Sequence, residues 1–433
     1  MTLTREEMQN YTDIINGTLI PAMGCTEPIA IAYAAAKARS LLPEEPMHIS
    51  LACSGNIIKN VKSVTVPNSG GQRGISAAAI LGMVGGEPDK MLEVISNVNE
   101  EDREKCRELV KQGFCDVCHV ENVLNLYIQV KLWGRNHEVK LTIEDHHTNI
   151  TQIQLDGKII YQKEKEAETT SMPARPGSSM SLRGILEYAD TVDIADIRDV
   201  LQRQIDMNSA ISQEGLDEPW GAQVGKTVLE NWGSDVRSRA VARAAAGSDA
   251  RMSGCALPVV INSGSGNQGI TVTMPVLEYA KELQISEQKR FRALAVSNLV
   301  SIYIKHFIGA LSAFCGAVSA ACGAGAAITY MSGGSYQHIG RTITNTLGNV
   351  GGIVCDGAKP SCAAKIASSV NAAILGHYMS MAHKEFLPGE GIVEEDVEAT
   401  IRNMGYIGKV GMQPTDSEIL KVMTDHVDVN SCW

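Results

Sequence analysis

Aromatic side chains are scarce in this chain: its 433 residues hold Phe 5 and Trp 4, against Gly 40 and Met 17. A core short of rings is closed by helices that pack through small side chains, with methionine filling the gaps. No run of Lys or Arg occurs, and the formal net charge is -11 with a pI near 5.5. A nucleic-acid or anionic-membrane partner needs basic patches, so small molecules are the expected ligands. The start, Met1-Thr-Leu-Thr-Arg-Glu-Glu-Met8, carries charge where a secretory signal needs an apolar stretch, and a cytoplasmic protein is expected. Cysteine numbers 11, odd and without a regular framework, which fits a reducing compartment better than a disulfide scaffold. Residues 309–331 are long and uncharged enough to raise the question of a membrane span. They are rich in Ala, Gly, Ser and Cys and poor in Leu and Ile, as expected of a tightly packed buried helix.

The length and a 44% hydrophobic content allow a large core and two or three domains. Residues 5–42 read as helix, a loop Pro21-Ala-Met-Gly-Cys-Thr-Glu-Pro28, then helix, with Thr26 as a cap and Pro28 in the first turn. From about His48 to Tyr161 the period changes to two. Leu126, Ile128, Val130 and Leu132 alternate with polar residues, as do Val139, Leu141 and Ile143, and turns fall at Gly134-Arg-Asn136 and Asp156-Gly157. Shorter strands are expected at 48–52 and 63–66, and helices at 73–84 and 99–112. A stretch of charge with Pro, Gly and Ser follows at 162–181 and reads as a linker. Helical spacing then covers 182–213, 219–246, 275–283, 287–305, 309–331, 361–383 and 394–404.

The expected fold class is α+β: a predominantly α-helical catalytic domain over 182–433 and a smaller α+β domain with an antiparallel sheet over 46–165. A linker at 166–181 joins them, and the N-terminal helices of 1–45 pack on the catalytic domain.

Cys25 stands just before a helix N-terminus, where the dipole and free N–H groups favour a thiolate; the alternative is simple packing. Cys115-x2-Cys118-His119 has a spacing that invites a zinc or redox reading, yet no second pair lies nearby and it is read as a decoy. In Asn262-Ser-Gly-Ser-Gly-Asn-Gln-Gly269, Gly264, Gly266 and Gly269 match G-x-G-x-x-G, with Pro258-Val-Val-Ile-Asn262 as a strand before them. Ile270-Thr-Val-Thr-Met-Pro275 is a poor helix opening and no repeated βα pattern supports a dinucleotide fold. A backbone nest is preferred, in which N–H groups with Ser263, Ser265 and Asn267 clamp a carboxylate; a plain tight turn is the alternative. Cys315, Cys355 and Cys362 are the remaining candidates. The loop between the last two bends at Asp356, Gly357 and Pro360 and leaves N–H groups free. Thiolates select soft metals and iron-sulfur centres, whereas free cysteines are commonly small buried hydrophobes.

Taken together, Gly24-Cys-Thr-Glu-Pro28, Ser54-Gly-Asn56, Val64-Thr-Val-Pro67, His147-Thr-Asn149, Ser212-Gln-Glu-Gly-Leu216, Ser248-Asp-Ala-Arg-Met252, Asn262 through Pro275, and Cys355-Asp-Gly-Ala with Cys362 resemble the L-cysteine desulfidase family. That family is related to the alpha component of the iron-sulfur L-serine dehydratases, and the resemblance runs along nearly the whole chain. It implies a 4Fe-4S enzyme that converts L-cysteine to pyruvate, sulfide and ammonia without pyridoxal phosphate. It implies Cys315, Cys355 and Cys362 as cluster ligands, with one iron open toward the leaving group. Cys25 and His147 would be the acid/base groups, and Asn56 with the 263–269 loop would hold the carboxylate and amino groups. Dehydratases have a wider gap between the last two ligands, so Cys322 competes with Cys362, and Cys432 near the C-terminus is a candidate cap for the open iron. L-serine dehydration at the same site, a nicotinamide-dependent oxidoreductase and a non-catalytic cluster protein are the rival readings. The Gly/Ala-rich helices leave self-association into a homo-oligomer open.

Overall fold

The computed structural model describes residues 3–163, 180–309 and 311–424. Helix α1 (Arg5–Thr18) starts behind a capping box of Thr4 and Glu7, and strand β1 (Pro21–Met23) leads into α2 (Thr26–Leu41). The sequence reading has a loop where β1 forms. Cys25, not Thr26, is the N-cap of α2, and Pro28 lies in its first turn as expected. Strand β2 (His48–Cys53), α3 (Gly55–Val61), α4 (Gly74–Gly85), α5 (Glu100–Lys111) and β3 (Cys115–His119) follow. The meander comes next: β4 (Tyr127–Trp133), β5 (Glu138–Glu144), β6 (Ile150–Leu155) and β7 (Lys158–Gln162). The strand expected at 63–66 reduces to one bridge between Thr65 and Arg73.

These strands form one six-stranded sheet in the order β3-β2-β4-β5-β6-β7. Pairing is antiparallel throughout except between β2 and β3, whose parallel pairing makes the sheet mixed. The alternation along β4 is real: Ile128, Val130 and Leu132 are fully buried, while the residues between them are half-buried. Helix α2 lies across β4 and β5 and beside α4, whereas α1 packs on the helical half, so the two N-terminal helices serve different parts of the molecule.

The helical half runs through α6 (Leu182–Thr191), α7 (Arg198–Asp217), α8 (Val224–Trp232), α9 (Val236–Met252), β8 (Pro258–Val260), α10 (Gly266–Glu282), α11 (Glu287–Ile308), α12 (Gly316–Met331), α13 (Tyr336–Val350), α14 (Cys362–Met381), α15 (Val397–Tyr406) and α16 (Gln413–Met423). Helices α9, α10, α11 and α12 are buried almost all round, through small residues in α9 and α12 and through a largely apolar surface in α10 and α11. The fold is thus α+β and mostly helical.

Several expectations for this half need correction. The helix expected at 182–213 breaks after Thr191, and that at 219–246 divides around Gly233 and the N-cap Asp235. The helix expected over 309–331 begins only at Gly316. Helix α10 opens at Gly266 rather than 275, with Pro275 inside it. Its β-branched start is carried by burial, and the Thr271 and Thr273 hydroxyls bond back to the carbonyls of Asn267 and Gly269. Helix α13 is absent from the sequence reading altogether. The linker expected at 166–181 lies almost wholly outside the described residues, as does Cys432. No helix among the described residues is long and apolar enough to cross a membrane.

Candidate active site

Helix N-termini gather where the two halves meet. Cys25 caps α2, Ser265 caps α10, Cys315 caps α12, and Cys362 is the first residue of α14. Each end presents unpaired N–H groups and a partial positive charge, so the region favours anions.

The 263–269 turn sits at the centre. Ser263 and Gly264 both have positive φ (49° and 77°), and Gly269 presses on the Val260 carbonyl so closely that a Cβ there would overlap it. The turn is fixed from below by a buried polar network. Asn262 donates to Asn298 Oδ1 at 3.0 Å and accepts from Ser301 and Ser263, and Asn298 exchanges hydrogen bonds with Gln204. Every buried group in such a network needs its partner, which makes the turn rigid. The strand, glycine turn and helix do follow one another here. However, β8 pairs only with β1, antiparallel, in a two-stranded sheet. No βαβ unit stands behind the G-x-G-x-x-G, and the dinucleotide reading has no structural support.

Around the turn lie the other candidates. Thr26 Oγ donates to the Gly264 carbonyl at 2.8 Å, and the His147 ring lies over Gly264, with Cε1 3.2 Å from where a Cβ would be. Gln268 packs on Gly316, next to Cys315, so closely that a Cβ on that glycine would lie 2.7 Å from Cδ. Cys25, Val64 and Met252 form one small apolar cluster with Ala358 and Cys362. Asn56 is the second residue of α3, and its buried Oδ1 has no hydrogen-bond partner.

Glu27 connects these groups, and the sequence reading overlooked it. Its Oε2 accepts from Cys25 Sγ at 2.9 Å and from Thr26 Oγ at 3.1 Å, and its Oε1 accepts from Asn60 Nδ2 at 2.9 Å. His147 Nε2 faces the same Oε1 at 3.8 Å, an ionic separation longer than a hydrogen bond. Burial pushes the Glu27 carboxyl up, but His147 and the hydrogen bond from Cys25 outweigh it and hold the group far below the usual carboxylate range. Burial and the Glu27 charge together push the Cys25 thiol well above its ordinary value. The thiolate expected from the helix dipole is therefore not the resting form. Desolvation beside a carboxylate wins over the helix N-terminus.

The three remaining cysteines come together from distant parts of the chain. A bridge pairs Phe314 with Val354, with Cys315 N bonded to the Ile353 carbonyl and Cys355 N to the Ala313 carbonyl. The Cys362 sulfur accepts the Lys359 N–H at 3.4 Å, as the loop composition foretold. Burial pushes the Cys315 thiol up to about 12, and the charges of Cys355 and Cys362 add to the shift. Lys305 is buried beside Cys315 and Cys355 and pairs with no carboxylate among the described residues; burial lowers its pKa and the two sulfurs oppose that. Lys359 caps the end of α3 through the Lys59 and Lys62 carbonyls and so ties the Cys355–Cys362 loop to that helix.

No group of three His, Cys, Asp or Glu among the described residues closes around a single metal ion. Thiolates are the donors an iron-sulfur centre takes, and the charges of Cys315, Cys355 and Cys362 act on one another, with the buried Lys305 beside two of them. Cys322 stands apart from these three. It is buried within α12, and only burial raises its pKa, with no neighbouring thiol contributing. Cys115 and Cys118 lie on the exposed edge strand β3, where an i, i+3 spacing sends them to opposite faces.

Residues 89–421 match the serine dehydratase alpha chain. The chain belongs to that family. It is 49% identical to a UPF0597 protein of Desulfitobacterium hafniense over 96% of both chains. It is 50% identical to one of Lachnoclostridium phytofermentans, over 95% of this chain and 98% of the relative. It is 43% identical to a UPF0597 protein of Treponema denticola, over 98% of this chain and 99% of the relative. Membership in the serine dehydratase alpha family supports a lyase activity of the dehydratase kind, acting on a small molecule.

Proposed function

We propose that this protein is a 4Fe-4S-dependent L-cysteine desulfidase, a carbon-sulfur lyase that eliminates sulfide from the amino acid without pyridoxal phosphate. The observation that carries the reading is the meeting of Cys25, Glu27 and His147 with the 263–269 turn and Cys362. Cys315, Cys355 and Cys362 would hold the cluster, and when bound it supplies a Lewis acid for the departing atom.

The chain's own residues do the rest. The N–H groups of the 263–269 turn and the N-terminus of α10 receive the carboxylate, with Asn56 Oδ1 available to the ammonium. Elimination requires that a proton leave Cα while the β-substituent departs. Glu27 stays ionised: one oxygen accepts the Cys25 S–H and the other faces His147 Nε2, so the carboxylate holds the thiol and the ring on either side of it. His147, whose ring lies over Gly264, accepts the proton from Cα, and the neutral Cys25 thiol gives its proton to the departing sulfide; His147 then returns a proton to Cys25. The balance is L-cysteine to aminoacrylate and hydrogen sulfide, then aminoacrylate and water to pyruvate and ammonia. Cys25 and Glu27 are buried, which keeps bulk water from the thiol and the carboxylate.

L-Serine dehydration is the second reading, favoured by the family to which the chain belongs. Anaerobic purification, iron and sulfide analysis, and assay of pyruvate from L-cysteine and L-serine without added pyridoxal phosphate test both. Sulfide released with pyruvate supports the desulfidase, and pyruvate from serine alone supports the dehydratase. Bound iron with no turnover of either leaves only a cluster-binding protein and ends the proposal.

A further inference from the structure

We propose that Arg251 is the counter-ion of the substrate's α-carboxylate, acting with the first turn of α10, so that the pocket selects amino acids whose carboxyl group is free. This deepens the reading above and rests on it.

Arg251 stands in the last turn of α9 and is 3% exposed. Its Nη1 donates to Asn267 Oδ1 at 3.1 Å, while Nε is buried without a hydrogen-bond partner. Among the described residues no carboxylate lies within ion-pair distance of it. Glu27, Cys25 and Cys362 act on it only from farther off. A buried guanidinium without a paired anion is costly, and its fork geometry suits a carboxylate.

Its position says where that anion sits. Nε and Cζ press against Gly266, the first residue of α10, so closely that a Cβ there would overlap them. The guanidinium therefore lies beside the first residue of α10, so its full charge adds to the partial positive charge of that helix N-terminus. The 263–269 turn alone offers neutral donors; Arg251 adds the full charge. The competing role is balancing a charged Cys362.

The test uses the anaerobically purified full-length protein, with ligand-induced change in melting temperature as one readout and steady-state turnover as the other. The probes are L-serine, L-cysteine and L-serinamide. The wild-type protein is expected to be stabilised by the acids and not by the amide. Arg251→Gln should lose that preference and raise KM on the order of 10- to 100-fold with iron content retained. Arg251→Lys, which keeps the charge and loses the fork, should fall between, and it carries the test if the glutamine variant does not fold. An acid-over-amide preference unchanged in the variants overturns the proposal, as does a wild-type protein that binds neither acid. Lost iron with an unchanged preference assigns Arg251 to charge balance at Cys362 and also overturns it. Because the melting shift needs no turnover, a carboxylate preference without pyruvate would sink the desulfidase reading and leave this inference standing.

Discussion

The Cys25 thiol donates to Glu27 across 2.9 Å, and both side chains are buried. The carboxylate thus holds the thiol neutral at rest and, facing His147 through its other oxygen, keeps both groups in place. Glu27→Gln keeps the size and one acceptor but loses the charge. On the proposed mechanism kcat should fall about 10²- to 10⁴-fold while KM changes little. Glu27→Asp should recover part of the loss. Steady-state kinetics of the two variants decide it, and a glutamine variant within twofold of wild type would remove Glu27 from the chemistry.

The cysteine set makes a second prediction. Cys315→Ala, Cys355→Ala or Cys362→Ala should each abolish iron retention after anaerobic purification, whereas Cys322→Ala should keep it. Cys322 is packed inside α12 with no neighbouring thiol, so its replacement removes only a small apolar contact. Iron and acid-labile sulfide analysis gives the answer. Iron lost on Cys322→Ala and kept on Cys362→Ala would reverse the assignment.

The residues that the sequence made visible are those whose type is unusual for their setting. Cysteines beside Gly and Pro and a glycine-rich turn after a short apolar run stand out in any chain. Glu27 and Arg251 did not, because an acidic residue in a helix's first turn and a basic one in its last are what the macrodipole favours on any surface helix. The available signal was context: Glu27 precedes Pro28-Ile-Ala-Ile-Ala, and Arg251 ends the run Ala244-Ala-Ala-Gly-Ser-Asp-Ala250, both turns of small or apolar residues that are buried on every side. Helix α13 was lost for the opposite reason. Gly340, Gly348 and three threonines give Tyr336–Val350 poor intrinsic propensity, and packing on α12 and α14 supplies the stability. The parallel partner β3 was invisible because its exposed residues carry no alternating pattern.

The network beneath the 263–269 turn should be costly to break. Asn298→Ala leaves Asn262 and Gln204 without their shared partner in a fully buried site. Unfolding should become easier by about 1–3 kcal/mol, the usual penalty for stranding a buried polar group. The turn should also loosen, so KM should rise more than kcat falls. Denaturant unfolding with parallel kinetics tests both, and a destabilised variant with unchanged KM would mean that the network does not govern the turn.

Asp249 provides a pH prediction outside the chemistry. It is buried in α9, and burial raises its pKa from 3.8 to about 6, against the opposing hydrogen bonds from Gly225 N and Val224 N. A carboxyl whose folded pKa lies above its unfolded value binds protons more tightly when folded. Its contribution to stability therefore falls as pH rises from about 4 to about 6, and the cost is fully present above that window. At about 1.4 kcal/mol per pH unit, the cost at pH 7 is on the order of 2–3 kcal/mol. Asp249→Asn cannot ionise and should cancel that slope, so the stability difference between variant and wild type should grow in the variant's favour from pH 4 to pH 6 and then level off. The cost of seating the amide N–H groups offsets part of the gain at pH 7 but does not depend on pH. Urea unfolding of both proteins across this range measures the difference, and a constant offset would show that Asp249 does not titrate there.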